Sequence, residues 1–295
     1  MELRVLRYFL AAAREESVTG AANYLHLTQP TLSRQLRDLE EELGQKLFNR
    51  GGHRLTLTPA GMYLRKRAEE MVALADQTEA DFRAMQGDIA GDIRIGGGET
   101  AAMTLVADVC RGLREAHPRI RCCLYSGNAE DVAERLDKGL IDFGLVIQPA
   151  DIARYDCLPL PVKDRWGAIF PKTWALAGKK TISPEDLRGV PLLLSQQVLN
   201  EENVLARWFG DLWKDLTVAA TYNLIYNAAV MVKDGLGCVI SLEGLADTSA
   251  ESPLCFRPLE PALEAGIDVV WKKYQVFSPA AALFLEKLRE RCGEQ

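Results

Sequence analysis

Apolar residues recur every three or four positions through the first forty residues, a spacing typical of short amphipathic helices. The apolar face of a first helix consists of Leu3, Leu6, Phe9, Leu10 and Ala13. A second helix is predicted over 18–25, and a third starts where Thr28 supplies an N-cap and Pro30 falls in the first turn. The buried stripe of the third helix consists of Leu32, Leu36, Leu39 and Leu43. The pattern predicts three short helices joined by tight turns.

The polar side chains of the third helix concentrate in its first two turns. Together with Thr28 they are Gln29, Pro30, Thr31, Ser33, Arg34 and Arg37. A helix that meets base edges and phosphates in a major groove needs this distribution, so we predict that this surface binds duplex DNA. The same residues also fit a small helical domain with solvated charges, and the turn at 26–28 lacks the glycine found in many helix-turn-helix motifs.

A small hairpin, or wing, is predicted after the third helix. Gly51 and Gly52 permit a tight reversal, and Leu55 and Leu57 alternate with polar neighbours. The hairpin carries Arg50 and Arg54. Cations at these positions would lie over the sugar-phosphate backbone.

A long helix is predicted from Thr58-Pro59 to about Gly87, because a threonine N-cap followed by proline favours a helix start. Its apolar positions repeat with a heptad spacing, with Thr78 the only polar member: Leu64, Ala68, Met71, Ala75, Thr78, Phe82 and Met85. Such a stripe either packs on its own domain or pairs two chains. We favour pairing, since a helix this long between two domains has little intrachain surface to cover it.

From Gly91 the pattern changes to short strands alternating with helices. Strands over 92–95, 120–125 and 141–146 enclose helices over 100–116 and 129–138, an order that implies a parallel sheet. A second unit has strands over 166–170, 192–194, 218–221 and 238–240, with helices near 183–185, 204–208 and 225–233. A strand over 269–271 and a helix ending near 291 complete the chain.

Charge is distributed unevenly. The 295 residues have a net charge of −6, but residues 1–67 contain eleven basic and seven acidic residues, a net +4 that leaves −10 for the remainder. This difference suits a DNA-binding head on an acidic body. Because we find no signal peptide or membrane-spanning run, and the seven cysteines form no regular framework, we expect a cytoplasmic protein with reduced thiols.

The stretch from Ser17 to Arg50, SVTGAANYLHLTQPTLSRQLRDLEEELGQKLFNR, closely resembles the signature of LysR-type transcriptional regulators. The LTxxG element of that signature follows at Leu57, Thr58 and Gly61. The resemblance implies an all-α-rich head joined to an α/β body. Its parts are a winged helix-turn-helix over 1–58, a linker and dimerisation helix over 59–88, and a two-lobed, periplasmic-binding-protein-like effector domain over 89–295.

The same resemblance implies a function. Gln29, Pro30, Thr31, Ser33 and Arg34 would face the DNA, with Arg50 and Arg54 on its backbone. The partners would be a dyad operator, a small-molecule effector, RNA polymerase, and a second copy or three further copies of the chain. We expect no enzymatic activity, metal, cofactor or membrane association, and the resemblance leaves open whether the regulator activates or represses.

In open α/β sheets, ligands bind beyond the carboxyl ends of strands and near helix N-termini. That rule selects polar residues of the effector domain: Glu99, Thr100, Ser126, Asn128, Ser195, Gln196, Asn223, Tyr226 and Asn227. Hydroxyls and amides at such places orient small polar ligands. Each is also a common turn former or helix cap, so the prediction applies to the group.

Three alternatives carry less weight. Residues 96–101, GGGETA, fit a dinucleotide-binding turn, but the following strand does not end in an acidic residue for the ribose. Three histidines and no hydrolase motif give little support to hydrolytic or metal chemistry. A redox switch at Cys122-Cys123 is disfavoured because adjacent side chains on a strand point to opposite faces.

Overall fold

The computed structural model describes residues 1–49, 54–84, 89–198 and 203–293, with the side chains at 83 and 84 left out. The chain divides into two compact units, Met1–Arg83 and Ala84–Gln295. The predicted wing residues Arg50, Gly51 and Gly52, and the last seam residue Met85, lie outside the described residues.

The first unit, here called the head, has the predicted helical order. Its elements are α1 (Leu3–Glu15), α2 (Val18–Tyr24), α3 (Gln29–Leu43), β1 (Phe48–Asn49), β2 (Thr56–Leu57) and α4 (Pro59–Ala84). β1 and β2 pair antiparallel, as a wing requires. The turn between α2 and α3 places His26 at φ 55°, the left-handed conformation that a glycine often supplies. His26 therefore adopts the left-handed backbone conformation for which many helix-turn-helix motifs use glycine.

The apolar faces of α1, α2 and α3 meet in one core around Phe9, which is fully buried and packs 5.3 Å from Phe48 between ring centroids. Leu32, Leu36 and Leu39 are buried there as expected. The prediction for Leu43 was wrong, since 37% of it is exposed. Leu43 is the last residue of α3, where Gly44 turns left-handed at φ 64° and ends the helix.

The apolar stripe of α4 divides into two parts. Leu64 and Ala68 are buried in the head core, and Met71 packs against it. Further along, 64% of Phe82 is exposed. Packing on its own domain therefore accounts for the beginning of the stripe, whereas its end is uncovered by the described part of this chain.

The second unit, the regulatory domain, is a mixed α/β fold. Its first elements are β3 (Gly91–Gly97), α5 (Met103–Ala116), β4 (Ile120–Ser126), α6 (Ala129–Asp137) and β5 (Phe143–Ile147). They are followed by β6 (Tyr155–Pro171), β7 (Leu192–Ser195), α7 (Val204–Phe209), β8 (Val218–Tyr222), α8 (Ile225–Lys233) and β9 (Cys238–Leu242). The last are β10 (Leu254–Pro258), β11 (Glu264–Lys272) and α9 (Pro279–Cys292).

These strands run in the order β4-β3-β5-β11-β6-β9-β7-β8, with β10 beside β6. β3 pairs parallel with β4 and β5, and β7 pairs parallel with β8 and β9, as the alternating order predicted. Two features differ from the sequence prediction. β6 starts at Tyr155 and runs antiparallel to β11, and β10 was not predicted at all.

Two lobes follow from this arrangement. One core lies around Phe143 and Phe284, and another around Phe170 and Leu194. β6 and β11 pair along the first lobe and continue to the second, and their register shifts between Gly266 and Asp268. Such a bulge bends and twists a strand locally. The two lobes are thus joined through an irregular pair of antiparallel strands.

Candidate DNA-binding surface and ligand cleft

The start of α3 is a capped helix end whose polar groups face outward. The Thr28 side chain accepts a hydrogen bond from the Thr31 backbone N–H at 3.4 Å, and the two hydroxyls lie 2.8 Å apart. One turn on, Gln29 Nε2 donates to Ser33 Oγ at 2.9 Å. Thr28, Gln29, Pro30 and Thr31 are all exposed. Because the leucines on the opposite face of α3 are buried in the head core, this polar turn faces outward.

Two arginines extend that surface along α3. The Arg34 side chain is 82% exposed, and its nearest carboxylate is Asp38 at 3.8 Å, a loose contact of little energetic weight. Arg37 is exposed and forms no ion pair with a described residue. Both cations are thus available to an external anion.

Of the two predicted wing cations, Arg54 is the described one. Its guanidinium lies 3.1 Å from Glu16 Oε2, and 78% of its side chain is exposed. An exposed pair of this kind is worth about 0–1 kcal/mol, so a phosphate is able to compete with Glu16. The described part of the wing therefore offers the Arg54 cation near the end of α1.

A buried carboxylate fixes the wing to α3, and sequence reasoning missed it. Glu40 is 2% exposed, and its Oε1 accepts from the backbone N–H groups of Leu47 at 2.9 Å and Phe48 at 3.3 Å. Lys46 Nζ lies 3.3 Å from the other oxygen. A glutamate among other polar residues of a helix gives no sign in the sequence that it will be buried. Here it orients the chain into β1.

The LTxxG element has a structural explanation. Thr58 Oγ1 donates to the Lys46 carbonyl at 2.6 Å and accepts from the Gly61 N–H at 3.0 Å, so it caps α4 and ties it to the loop after α3. A Cβ at Gly61 would lie only 2.1 Å from the Leu47 carbonyl oxygen. Only glycine fits where α4 passes this backbone.

The regulatory domain contains a cleft of about 280 Å³ between its two lobes. Its walls combine polar groups with aliphatic side chains. The lining residues are Gly98, Glu99, Gly127, Ile147, Gln148, Pro149, Trp166, Ser195, Gln197, Val198, Asn203, Val204, Tyr222, Asn223, Ile225, Ser241, Leu242 and Leu245. Three of the selected polar residues, Glu99, Ser195 and Asn223, are thus brought together here.

Thr100 and Asn128 serve the local structure instead. Thr100 is 6% exposed; its hydroxyl donates to Asp164 on β6 and accepts from the Ala102 N–H at 3.1 Å. Burial raises the pKa of the Asp164 carboxyl, although this hydroxyl and the Ala101 N–H oppose the change. Asn128 caps α6 by accepting from the Asp131 N–H at 2.8 Å. Neither residue lines the cleft.

The other four selected residues are exposed and lie outside the cleft lining. Ser126 and Gln196 follow β4 and β7, but neither contributes to the cleft wall. Tyr226, which is 75% exposed, and Asn227 lie on the outer surface of α8. The strand-end rule finds residues at the edge of the sheet where the cleft lies, but it does not distinguish neighbouring side chains on that edge.

Glu99 connects the two lobes across the cleft. It follows β3 in the first lobe, and its Oε2 accepts from the backbone N–H of Ile225, the first residue of α8 in the second lobe, at 2.6 Å. A carboxylate at a helix N-terminus satisfies an orphan N–H and complements the helix dipole. Glu99 therefore occupies the position at which an anionic ligand would otherwise bind.

Sequence reasoning missed several cleft residues, chiefly Trp166, Tyr222 and Ser241. Trp166 is 7% exposed, and its Nε1 has no hydrogen-bond partner in the described structure. The Tyr222 hydroxyl donates to the Ile240 carbonyl at 2.8 Å, and burial raises the pKa of that hydroxyl. Trp166 pairs with Leu242, and Gly167 with Ser241, on antiparallel β6 and β9, a register that local sequence patterns do not reveal.

The glycine run at 96–101 has a packing role. Gly96 and Gly97 lie within β3, and a Cβ there would approach Ile141 Cδ1 to 2.6 Å and Leu145 Cβ to 2.9 Å. Close side-chain packing therefore accounts for these two glycines.

The partner of Cys122 is Cys110 on α5, which sequence reasoning did not pair with it. A hydrogen bond from the Cys110 thiol lowers the pKa of Cys122, with Arg114 acting in the same direction. The same contact and burial raise the pKa of Cys110. Cys123 is exposed, and none of the seven cysteines, all of which lie in the described ranges, forms a disulfide.

Two features are absent from the described ranges of the chain. No helix there is both long and apolar enough to cross a bilayer. No group of three or more His, Cys, Asp and Glu side chains is arranged to hold a metal ion within those ranges.

The chain matches two family models. Residues 3–62 match the bacterial regulatory helix-turn-helix protein, lysR family, and residues 86–293 match the LysR substrate binding domain. The Hca operon transcriptional activator HcaR of Escherichia coli (strain K12) is 28% identical over 99% of this chain and 98% of HcaR. BenM of Acinetobacter baylyi is 38% identical over 49% of this chain and 47% of BenM, so that alignment spans about half of each protein.

Solved structures show the same fold. CbnR, a LysR family transcriptional regulator, superposes with a TM-score of 0.77 at 21% identity, over 99% of each chain. CbnR complexed with its target DNA gives a TM-score of 0.76. The expected α/β class with its helix-turn-helix head is thereby confirmed, and the chain belongs to the LysR family of bacterial DNA-binding transcriptional regulators, with a substrate-binding domain for an effector.

Proposed function

We propose that this chain binds a dyad operator in duplex DNA as a homodimer or homotetramer, and that a small molecule in the cleft modulates this binding. The observation that carries the proposal is the two-sided character of α3. Leu32, Leu36 and Leu39 are buried in the head, while Thr28, Gln29 and Arg34 are exposed. A recognition helix presents such a face to the major groove.

We assign different roles to the residues of this surface. Gln29, Thr31 and Ser33 offer donors and acceptors suited to base edges, with Pro30 beside them at the helix start. Arg34 and Arg37 supply charge for base or phosphate contacts, and Arg50 and Arg54 for the backbone. We also include Thr28, because its hydroxyl lies at the exposed N-terminus of α3.

Pairing of two chains would place two α3 helices in successive major grooves. The exposed end of the α4 stripe, around Phe82, is our candidate for the paired surface. A twofold dimer with two such heads reads half-sites about 10 base pairs, or multiples of that, apart.

Ligand binding would act through the lobes. A molecule in the cleft touches Glu99 on one lobe and residues such as Ser241 on the other. We assign the hinge to the bulged pair β6 and β11, because its ladder of hydrogen bonds is already interrupted. We propose that closure changes the spacing of the heads, with a coupling of about 1–3 kcal/mol. In this role the chain works in the cytoplasm, contacts RNA polymerase and has no catalytic activity.

A salt titration of operator binding tests the DNA-binding role. Phosphate contacts release counterions, so the logarithm of the binding constant should fall linearly and steeply with the logarithm of salt concentration. Arg37→Ala should lower the magnitude of that slope by about one. Arg207→Ala, an exposed arginine on α7 of the regulatory domain, is the matched control and should leave the slope unchanged. A flat salt response would contradict the proposed DNA-binding surface.

A further inference from the structure

The side chains that line the ligand cleft carry a negative charge. This charge disfavours an anionic ligand, although helix N-termini commonly hold anions. Among the described residues that line the cleft, Glu99 is the only charged side chain, and Lys, Arg and His are absent from that lining. A carboxylate ligand would enter a site with a negative charge and no cation. Like charges at close range in a partly enclosed cleft repel one another.

Glu99 retains capacity for a ligand. An ionised carboxylate has about four lone-pair positions, and among the described residues Glu99 accepts a hydrogen bond from the Ile225 N–H alone. Glu99 is half-buried and lines the cleft, so its remaining positions face a cavity that is partly screened from water. A hydrogen bond between an ammonium donor and a carboxylate is about twice as strong as a neutral one.

Most other polar groups of the cleft are already committed. Gln148 donates to Asp268 and accepts from Ala150 N, and the Tyr222 hydroxyl donates to the Ile240 carbonyl. These groups have partners without a ligand. They complete the wall of the cleft.

The buried indole of Trp166 has no such partner in the described part of the chain. Its side chain is more than nine-tenths buried, it lines the cleft, and its indole N–H donates to nothing in the described structure. A buried donor without a partner destabilises the folded protein, and a ligand acceptor would relieve that cost. Trp166 therefore calls for an acceptor atom on the same ligand whose donor meets Glu99.

We propose that the cleft binds a small primary amine that also carries a hydrogen-bond acceptor, with the ammonium group on Glu99 and the acceptor on Trp166 Nε1. The apolar wall, which includes Ile147, Val198 and Leu242, fits an aliphatic or aromatic body. This inference rests on the proposed function of the cleft, and it specifies the chemical class of the effector.

Two matched sets of probes separate the contributions. In the first, L-leucinol has the amine and an acceptor, isoamylamine has the amine alone, and 4-methylpentanoate has the acceptor without the amine. In the second, L-phenylalaninol, phenethylamine and 3-phenylpropanoate repeat the comparison on an aromatic body. Binding to the full-length protein is measured by calorimetry and by thermal unfolding.

We expect the amino alcohol to bind best, the simple amine more weakly, and the acid not at all, in at least one set. Glu99→Gln should weaken amino alcohol binding about tenfold or more, as expected when a charge-assisted hydrogen bond is lost. Trp166→Phe should weaken the amino alcohol but leave the simple amine unchanged. Glu99→Lys should reverse the preference in favour of the acid, and Glu251→Ala, an exposed acidic residue outside the cleft lining, is the control.

Binding of the acid as tightly as the amino alcohol would overturn the inference, as would unchanged amino alcohol binding by Glu99→Gln. Absence of a response to all six probes would also count against it. If an acid binds and changes operator affinity, the amine class is wrong while the proposed regulatory function stands. If the salt titration of DNA binding is flat, the proposed function fails independently of these probes.

Discussion

The Glu99 carboxylate accepts a hydrogen bond from the Ile225 backbone N–H at 2.6 Å, and these two residues belong to different lobes of the regulatory domain. The contact caps the first residue of α8, whose N-cap residue Leu224 has no side-chain acceptor. One side chain therefore both completes a helix end and spans the ligand cleft. A molecule that binds Glu99 acts on the connection between the lobes.

Removal of this contact should be measurable as lost stability. Glu99→Ala leaves the Ile225 N–H without its acceptor, and we expect the free energy of unfolding of the regulatory domain to fall by about 1 kcal/mol. Urea unfolding followed by tryptophan fluorescence reports this domain alone, since all five tryptophans lie beyond residue 165. Glu251→Ala is the control, and equal midpoints for the two variants would show that the capping contact contributes nothing.

Two glycines should respond to alanine in opposite directions. At Gly61 a Cβ would lie 2.1 Å from the Leu47 carbonyl oxygen, so Gly61→Ala should destabilise the head by about 1–3 kcal/mol. Gly112 lies inside α5 with nothing within 4 Å of an added Cβ, so Gly112→Ala should stabilise the regulatory domain by about 0.5–1 kcal/mol.

Hydrogen exchange of head amides and the tryptophan signal measure the two effects separately. A Gly61→Ala head that exchanges as slowly as wild type would contradict the close approach of α4 to the loop after α3.

The Asp164 carboxyl predicts a pH dependence of stability. Burial raises its pKa above the ordinary value of 3.8, so between the two values the folded protein binds more protons than the unfolded chain. This group therefore destabilises the regulatory domain as pH rises through its folded pKa, and the penalty disappears as pH falls toward 3.8.

Asp164→Asn removes that titration. We expect the stability difference between variant and wild type to favour the variant more at pH 7 than at pH 4.5, in urea unfolding curves measured at both pH values. A difference that is constant across this range would mean that Asp164 does not titrate abnormally.

The head could be predicted from the sequence because residues close together in the chain determine its helices. The spacing of Leu32, Leu36 and Leu39 gives the buried face of α3, and Thr28 and Pro30 give its start. The burial of Glu40 was not predictable, because it depends on two backbone N–H groups seven and eight residues later that need an acceptor. Leu43 was wrongly predicted to be buried, because the apolar spacing does not show where a helix extends beyond the elements that pack against it.

The cleft was only partly predictable, for a related reason. Glu99, Ser195 and Asn223 follow strands or begin loops, so a rule about strand ends finds them. Trp166 reaches the cleft because β6 pairs antiparallel with β9 and places it beside Leu242, a contact between distant parts of the chain. A pattern of neighbouring residues does not show how these two distant strands pair.

The exposed end of α4 should hold two chains together. Phe82→Asp places a charge in the proposed seam and should shift the protein toward monomer, as measured by sedimentation velocity over a concentration series. Val276→Asp, a substitution at a 91% exposed residue of the regulatory domain, is the control and should sediment as wild type. Equal sedimentation of wild type and Phe82→Asp would exclude this part of α4 from the dimer interface.

The central claim, that α3 reads duplex DNA, is tested most directly by selection from a random duplex library with purified full-length protein in excess bulk competitor. We predict enrichment of sequences with two related half-sites about 10 base pairs or multiples of that apart, and loss of enrichment in Arg34→Ala. Equal recovery of all sequences by the wild-type protein, with and without the amine probes, would contradict the account.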